Sequence, residues 1–207
     1  FILMAEILFH TKLSTSLFNG LSPWTTRLPG RMLHVNVLAC TLFAAISGSS
    51  AATAATVGRI TLSELFQRGY NKDLVMGSLA GAGTLGFLIP PSLILIIYGV
   101  LSETSILKLF IAGIIPGLIS VVLYIAVIMI VTHFKPEMGP RGKRSSWTVR
   151  FQKLYRVWGI LLLFFLILGG ITFGVFTPNE AGGIGAIGAL LFAKMRKKMS
   201  WQILFES

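Results

Sequence analysis

The chain has 207 residues and a mean hydropathy of +0.80, with 54% of its residues apolar and 12% charged. A soluble domain carries about 25% charged residues, and apolar runs of about eighteen residues or more are long enough to cross hydrocarbon. An ordinary cytosolic domain is therefore excluded. The charge is lopsided, 18 Lys and Arg against 7 Asp and Glu for a net +11. That excess fits either nucleic-acid binding or loops held on the cytoplasmic side of a membrane. Position decides between them. Lys135, Arg141, Lys143, Arg144, Arg150, Lys153 and Arg156 share one loop, and Lys194, Arg196, Lys197 and Lys198 form a second cluster. Both clusters abut apolar runs, so the expected partner is a lipid bilayer and not a nucleic acid.

In chain order, the sequence opens at Phe1 inside an apolar run without an initiator Met, and reads as part of something longer. Phe1 to Phe18, with Glu6, His10 and Lys12, reads as the tail of a membrane helix. Asn19-Gly20-Leu21-Ser22-Pro23 is a loop signal, and Trp24, Arg27 and Arg31 suit an interfacial helix, closing a first unit at 1–32. Leu33 to Ile46 is apolar but short of the roughly twenty residues a crossing needs. It meets Ser47-Gly48-Ser49-Ser50-Ala51-Ala52-Thr53, and a second small-residue stretch follows to Arg59. Two half-length helices joined by a Ser/Gly tip predict a re-entrant hairpin over 33–66. Arg27 and Arg31 before it, and Arg59, Arg68 and Lys72 after it, place both mouths in the cytoplasm. The lone Cys40 excludes a disulfide framework or a multi-cysteine metal site.

The stretch 73–101 is long enough to cross but is interrupted by Gly83-Thr84-Leu85-Gly86 and Ile89-Pro90-Pro91-Ser92. Each Pro removes an N–H donor and clashes with the preceding turn, so the helix breaks near mid-bilayer. Unpaired backbone survives at that depth only inside protein or beside a water-filled cavity. A continuous span follows at 106–134, with Pro116-Gly117 in its first third, completing a transport block over 33–134. The basic loop occupies 135–156. In 157–207, Val157 to Phe176 and Ala181 to Ala193 form an out-and-back pair, and Trp201 and Phe205 begin another interfacial helix. The fold class expected is an all-α polytopic membrane protein.

The chemistry concentrates at two places. Ser47, Ser49, Ser50 and Thr53 put hydroxyls and free backbone groups where bulk water is absent, and half-helix ends there suit an anion or a cation. Gly83, Thr84, Gly86, Pro90, Pro91 and Ser92 unwind the second segment, and a hairpin beside a discontinuous helix is the arrangement secondary transporters use. Ala51, Ala52 and Ala55 are read as packing residues. Glu180, after Thr177-Pro178-Asn179, is read as a helix cap. No catalytic residue is expected. No His accompanies the tip serines, as a serine nucleophile would need, and no phosphate-binding Gly-x-x-x-x-Gly-Lys loop exists.

Five motifs occur in one order: Phe43-Ala44-Ala45-Ile46-Ser47-Gly48-Ser49-Ser50-Ala51-Ala52-Thr53, Gly69-Tyr70, Gly83-Thr84-Leu85-Gly86-Phe87-Leu88-Ile89-Pro90-Pro91-Ser92, Phe110-Ile111-Ala112-Gly113-Ile114-Ile115-Pro116-Gly117, and Phe176-Thr177-Pro178-Asn179-Glu180-Ala181. In these the chain resembles the large membrane subunit of tripartite ATP-independent periplasmic (TRAP) transporters, over nearly its whole length. The resemblance implies one half of an inverted-repeat, elevator-type importer of small organic acids in the bacterial inner membrane. It implies sodium as coupling ion with no other cofactor, held near Ser47, Ser49, Ser50 and Gly86. Ser47–Ser50 and Gly86–Ser92 would also line the solute site. The implied partners are a small membrane subunit and a periplasmic substrate-binding protein. The family chain is roughly twice as long, its second hairpin and broken helix having no counterpart here, so these 207 residues are not expected to transport alone. The rival readings are a non-transporting membrane scaffold and another hairpin-type carboxylate transporter.

Overall fold

The computed structural model describes residues 13–139, 146–155 and 158–195, together with Met4 and Ile7. The expectations placed on Glu6, His10, Lys12, Arg141, Lys143, Arg144, Arg156, Arg196, Lys197, Lys198 and the segment from Trp201 lie outside the described residues. Among the described residues every regular element is helical. The first is α1, Leu13–Thr25, followed by α2, Leu33–Ser47, and α3, Ser50–Gln67. Next come α4, Lys72–Gly83, a 3-10 turn at Thr84–Phe87 and α5, Leu93–Leu101. The long α6, Ile106–Phe134, leads to a second 3-10 turn at Pro136–Met138. Three further helices complete the described residues: α7, Trp147–Tyr155, α8, Trp158–Thr172, and α9, Pro178–Met195.

One expectation fails at once. The loop signal at Asn19–Pro23 lies inside α1, with Pro23 in its last turn. A proline costs most in mid-helix, where it removes a backbone bond that must be replaced. Here the helix ends two residues later, and threonine hydroxyls take up the carbonyls left over. Thr25 Oγ1 donates to the Ser22 carbonyl at 3.1 Å and Thr26 Oγ1 to the Pro23 carbonyl at 2.9 Å. Trp24 lies in the last turn of α1, while Arg27 and Arg31 occupy a turn and not an interfacial helix.

The other boundaries follow from local chemistry. Ser49, Asn71, Ser92 and Ser105 are N-caps of α3, α4, α5 and α6, each side chain accepting a backbone N–H from the first turn. α2 ends on Gly48, whose φ of 63° is left-handed, and its N–H returns to the Ala44 carbonyl at 2.9 Å. That left-handed residue reverses the chain and makes α2 and α3 a helical hairpin. Its two feet meet at one end of the molecule, where the Met32 N–H donates to the Tyr70 hydroxyl at 3.3 Å. The Asn71 N–H reaches the Met138 carbonyl at 3.4 Å, placing the end of α6 at the same level.

α2 is the centre of the packing. Leu33, Val35, Val37, Cys40, Ala44 and Ile46 are fully buried, and α1, α3, α4, α6 and α8 surround it. α6 is built the other way round. Ile115, Leu118, Val122 and Leu123 are 54–67% exposed alongside Ile119, an apolar face turned outwards. Among the described residues α6 is the helix long and apolar enough to cross a membrane unaided.

Candidate functional site

The hairpin tip is held by a knot of hydroxyls. Ser47 Oγ and Thr53 Oγ1 lie 2.8 Å apart, both buried. The Ser49 carbonyl accepts from Thr53 N at 3.0 Å, Thr53 Oγ1 at 2.7 Å and Ser47 Oγ at 3.2 Å. The Ser49 N–H donates in turn to Ser47 Oγ at 3.3 Å. One turn of α3 is thereby stitched to the end of α2 without any charged group. Ser50, first residue of α3, is half-buried, and its hydroxyl makes no hydrogen bond among the described residues.

The second break has its own lock. After the 3-10 turn, Ser92 Oγ donates to the Phe87 carbonyl at 3.0 Å and caps α5, bracketing a buried Pro90–Pro91 pair. The Pro90–Pro91 bond is cis. Gly113 and Gly117 of α6 face Leu88 and Ile89 from behind.

The two breaks are joined to each other. The Leu93 N–H donates to the Gly48 carbonyl at 3.0 Å. A Cβ on Gly48 would stand 2.8 Å from the Pro91 carbonyl oxygen, and one on Gly86 would stand 2.8 Å from the Ser50 amide nitrogen and 2.9 Å from the Ser49 carbonyl carbon. Gly83 abuts Ala54 on the same flank. Ser47, Gly48, Ser49, Ser50, Thr53, Gly83, Gly86, Pro90, Pro91 and Ser92 therefore form one structural unit at the crossing of the two interrupted segments. Thr84 does not join it. It is exposed, donates to the Gly81 carbonyl at 2.7 Å, and lies 2.9 Å from the Tyr124 hydroxyl of α6.

The electrostatics at this crossing come from main chain. α2 and the 3-10 turn end here in carbonyls, while α3 and α5 begin here with N–H groups, so partial charges of both signs meet at one place. Among the described residues no three His, Cys, Asp or Glu side chains gather. The donors that remain are neutral hydroxyl and carbonyl oxygens, which are hard ligands. At the other end of the molecule Thr177 and Glu180 form a capping box on α9. Glu180 Oε2 accepts from Thr177 N at 2.7 Å and Thr177 Oγ1 at 2.9 Å, and the Glu180 N–H reaches Thr177 Oγ1 at 3.3 Å. These bonds hold the Glu180 carboxyl below the usual carboxylate range.

The sequence did not disclose the Thr84–Tyr124 pair or the buried Asn36, whose Nδ2 donates to Ser78 Oγ at 3.0 Å and so ties α2 to α4. A lone Asn in an apolar helix was the one signal available for the second.

The family profile described as "Tripartite ATP-independent periplasmic transporter, DctM component" matches residues 1–207. The chain belongs to this family. Among DctM relatives it is 42% identical to a C4-dicarboxylate TRAP transporter large permease protein of Pseudomonas aeruginosa, over 86% of this chain and 42% of that protein. It is 35% identical to an ectoine/5-hydroxyectoine large permease of Ruegeria pomeroyi, over 92% of this chain and 44% of the relative. It is 33% identical to a sialic acid large permease of Vibrio cholerae, again over 92% and 44%. The chain thus spans less than half the length of these DctM proteins. The family is one of transporters and not enzymes, and the chain is a multi-pass protein of the bacterial inner membrane.

Proposed function

We infer that the chain is part of the large permease of a sodium-coupled importer of small organic acids, C4-dicarboxylate-like in chemistry. The observation that carries this is the backbone joint between the two breaks, Gly48 to Leu93 and Gly86 to Ser49–Ser50. In this reading α2 and α3 enter the membrane and turn back near its middle, at about 1.5 Å per residue over fifteen residues of α2. The carboxylate of the solute meets the N-terminal ends of α3 and α5 and the Ser50 hydroxyl. Sodium is a co-substrate held by hydroxyl and carbonyl oxygens of the tip, with Ser47, Ser49 and Gly86 nearest. The hydroxyl knot already uses the Ser49 carbonyl, so a cation arriving there rotates the Ser47 or Thr53 hydroxyl away. That exchange couples ion binding to the shape of the tip.

Because the joint ties hairpin and broken helix together, the block moves as a unit against its flanking helices, carrying solute from one side to the other. The small membrane subunit and a periplasmic substrate-binding protein complete the system. The rival, a scaffold whose glycines serve packing alone, gains nothing from a double break at one depth. The test is Ser49→Leu in the full-length subunit, reconstituted with its partners. Uptake driven by a sodium gradient is expected to be abolished while membrane insertion persists. Normal uptake by that variant removes the site assignment.

A further inference from the structure

Away from the breaks, α1 and α7 meet in an aromatic cluster at the end of the molecule that carries the basic loop. Trp24 stands edge-on to Trp147 at 6.4 Å and to Phe151 at 5.6 Å. The guanidinium of Arg150 lies 4.9 Å from the Trp147 ring centroid, and that of Arg27 lies 5.1 Å from the same ring. Two cations thus share one indole, and neither Arg27 nor Arg150 has a carboxylate partner among the described residues.

Arg150 is 3% exposed. Its Nε and Nη2 are buried without a hydrogen-bond acceptor, and so is Trp24 Nε1. All three are donors. The indole satisfies the face of the guanidinium, but the N–H groups lie in the guanidinium plane and stay without partners. Buried donors on a cation are costly to leave unmade, so the cluster calls for an acceptor that carries negative charge. The rim supplies the second half of the specification. Trp147 is 53% and Phe151 59% exposed, and such rings beside arginines settle at the headgroup level of a bilayer.

We propose that Arg150, Arg27 and Trp24 bind a phosphate-class oxyanion, supplied by the phosphodiester of a membrane lipid or by free phosphate. The oxyanion takes in-plane N–H bonds from Arg150 and the indole N–H of Trp24, with Arg27 at the outer edge. It reaches them by turning the exposed Trp147 or Phe151 ring outwards. In the lipid case the glycerol and first acyl carbons lie along those rings. The bound group then pins α7 to α1 and fixes the far end of the basic loop.

The test uses the full-length protein, purified and stripped of lipid, with phosphatidylglycerol binding followed by native mass spectrometry and inorganic phosphate by thermal unfolding. Arg150→Met and Trp24→Phe, the latter removing little but the N–H, should each weaken binding about tenfold or more. Lys153→Met, an exposed charge on the same helix, should change it less than about twofold. Binding of the lipid but not of phosphate identifies the membrane as the source, and the reverse identifies free phosphate. If the two variants bind as the parent does, if Lys153→Met costs as much as they do, or if neither probe binds, the proposal is overturned. Trp24→Phe carries the test should Arg150→Met not fold.

Discussion

Gly86 and Thr84 are two residues apart and face different worlds. A methyl group on Gly86 would press on the main chain of Ser49 and Ser50, atoms that cannot swing aside as a side-chain tip would. Gly86→Ala should therefore separate the two breaks, destabilise the subunit by about 1–3 kcal/mol and sharply reduce sodium-driven uptake, as thermal unfolding and a transport assay on the same preparation would register. An unchanged melting temperature would mean that the two breaks are not in contact. A break at the Gly83-Thr84-Leu85-Gly86 run was legible in the sequence. The fate of Thr84 was not, because which side of a 3-10 turn faces α6 depends on packing with Tyr124, forty residues away. The three orphaned donors of Trp24 and Arg150 were hidden for the same reason.

At the level of helices, ends are where short-range chemistry speaks most clearly. The Ser, Asn and Thr caps and the left-handed Gly48 are set within a few residues, so the sequence announces most boundaries. Pro23 misleads because its cost depends on how much helix remains beyond it, and only two residues do. The start of α9 offers a pH test. The Glu180 carboxylate is favoured in the folded state by its bonds from Thr177, so its folded pKa lies below the ordinary carboxylate value of about 4.3. The stabilisation it lends is present above that value and disappears as the pH falls through it towards the folded pKa. The difference in thermal stability between the parent and Glu180→Gln should hence be largest near neutral pH and shrink in acid. A difference independent of pH would show that the carboxylate charge contributes nothing to the cap.

Taken whole, the molecule is inverted relative to a soluble domain: its long apolar helix, α6, presents its side chains outwards, while polar Ser47, Thr53 and Asn36 are buried. The apolar runs and the placement of the basic clusters led to the membrane reading. Of the crossing expected from Val157 to Phe176, the described helix α8 covers Trp158–Thr172. Orientation is testable by labelling. With Cys40 replaced by Ala, Lys153→Cys should react with an impermeant maleimide from the cytoplasmic side and Thr177→Cys from the periplasmic side. Labelling of both from one side would refute the out-and-back arrangement of α8 and α9.

The joint between hairpin and broken helix is made by the Gly48 carbonyl and the Leu93 N–H, and main-chain groups are common to every residue type except for the missing N–H of proline. Its geometry is consequently blind to the identity of most side chains around it. On the proposed mechanism, the part that moves is therefore held together by main chain and not by the side chains beside it.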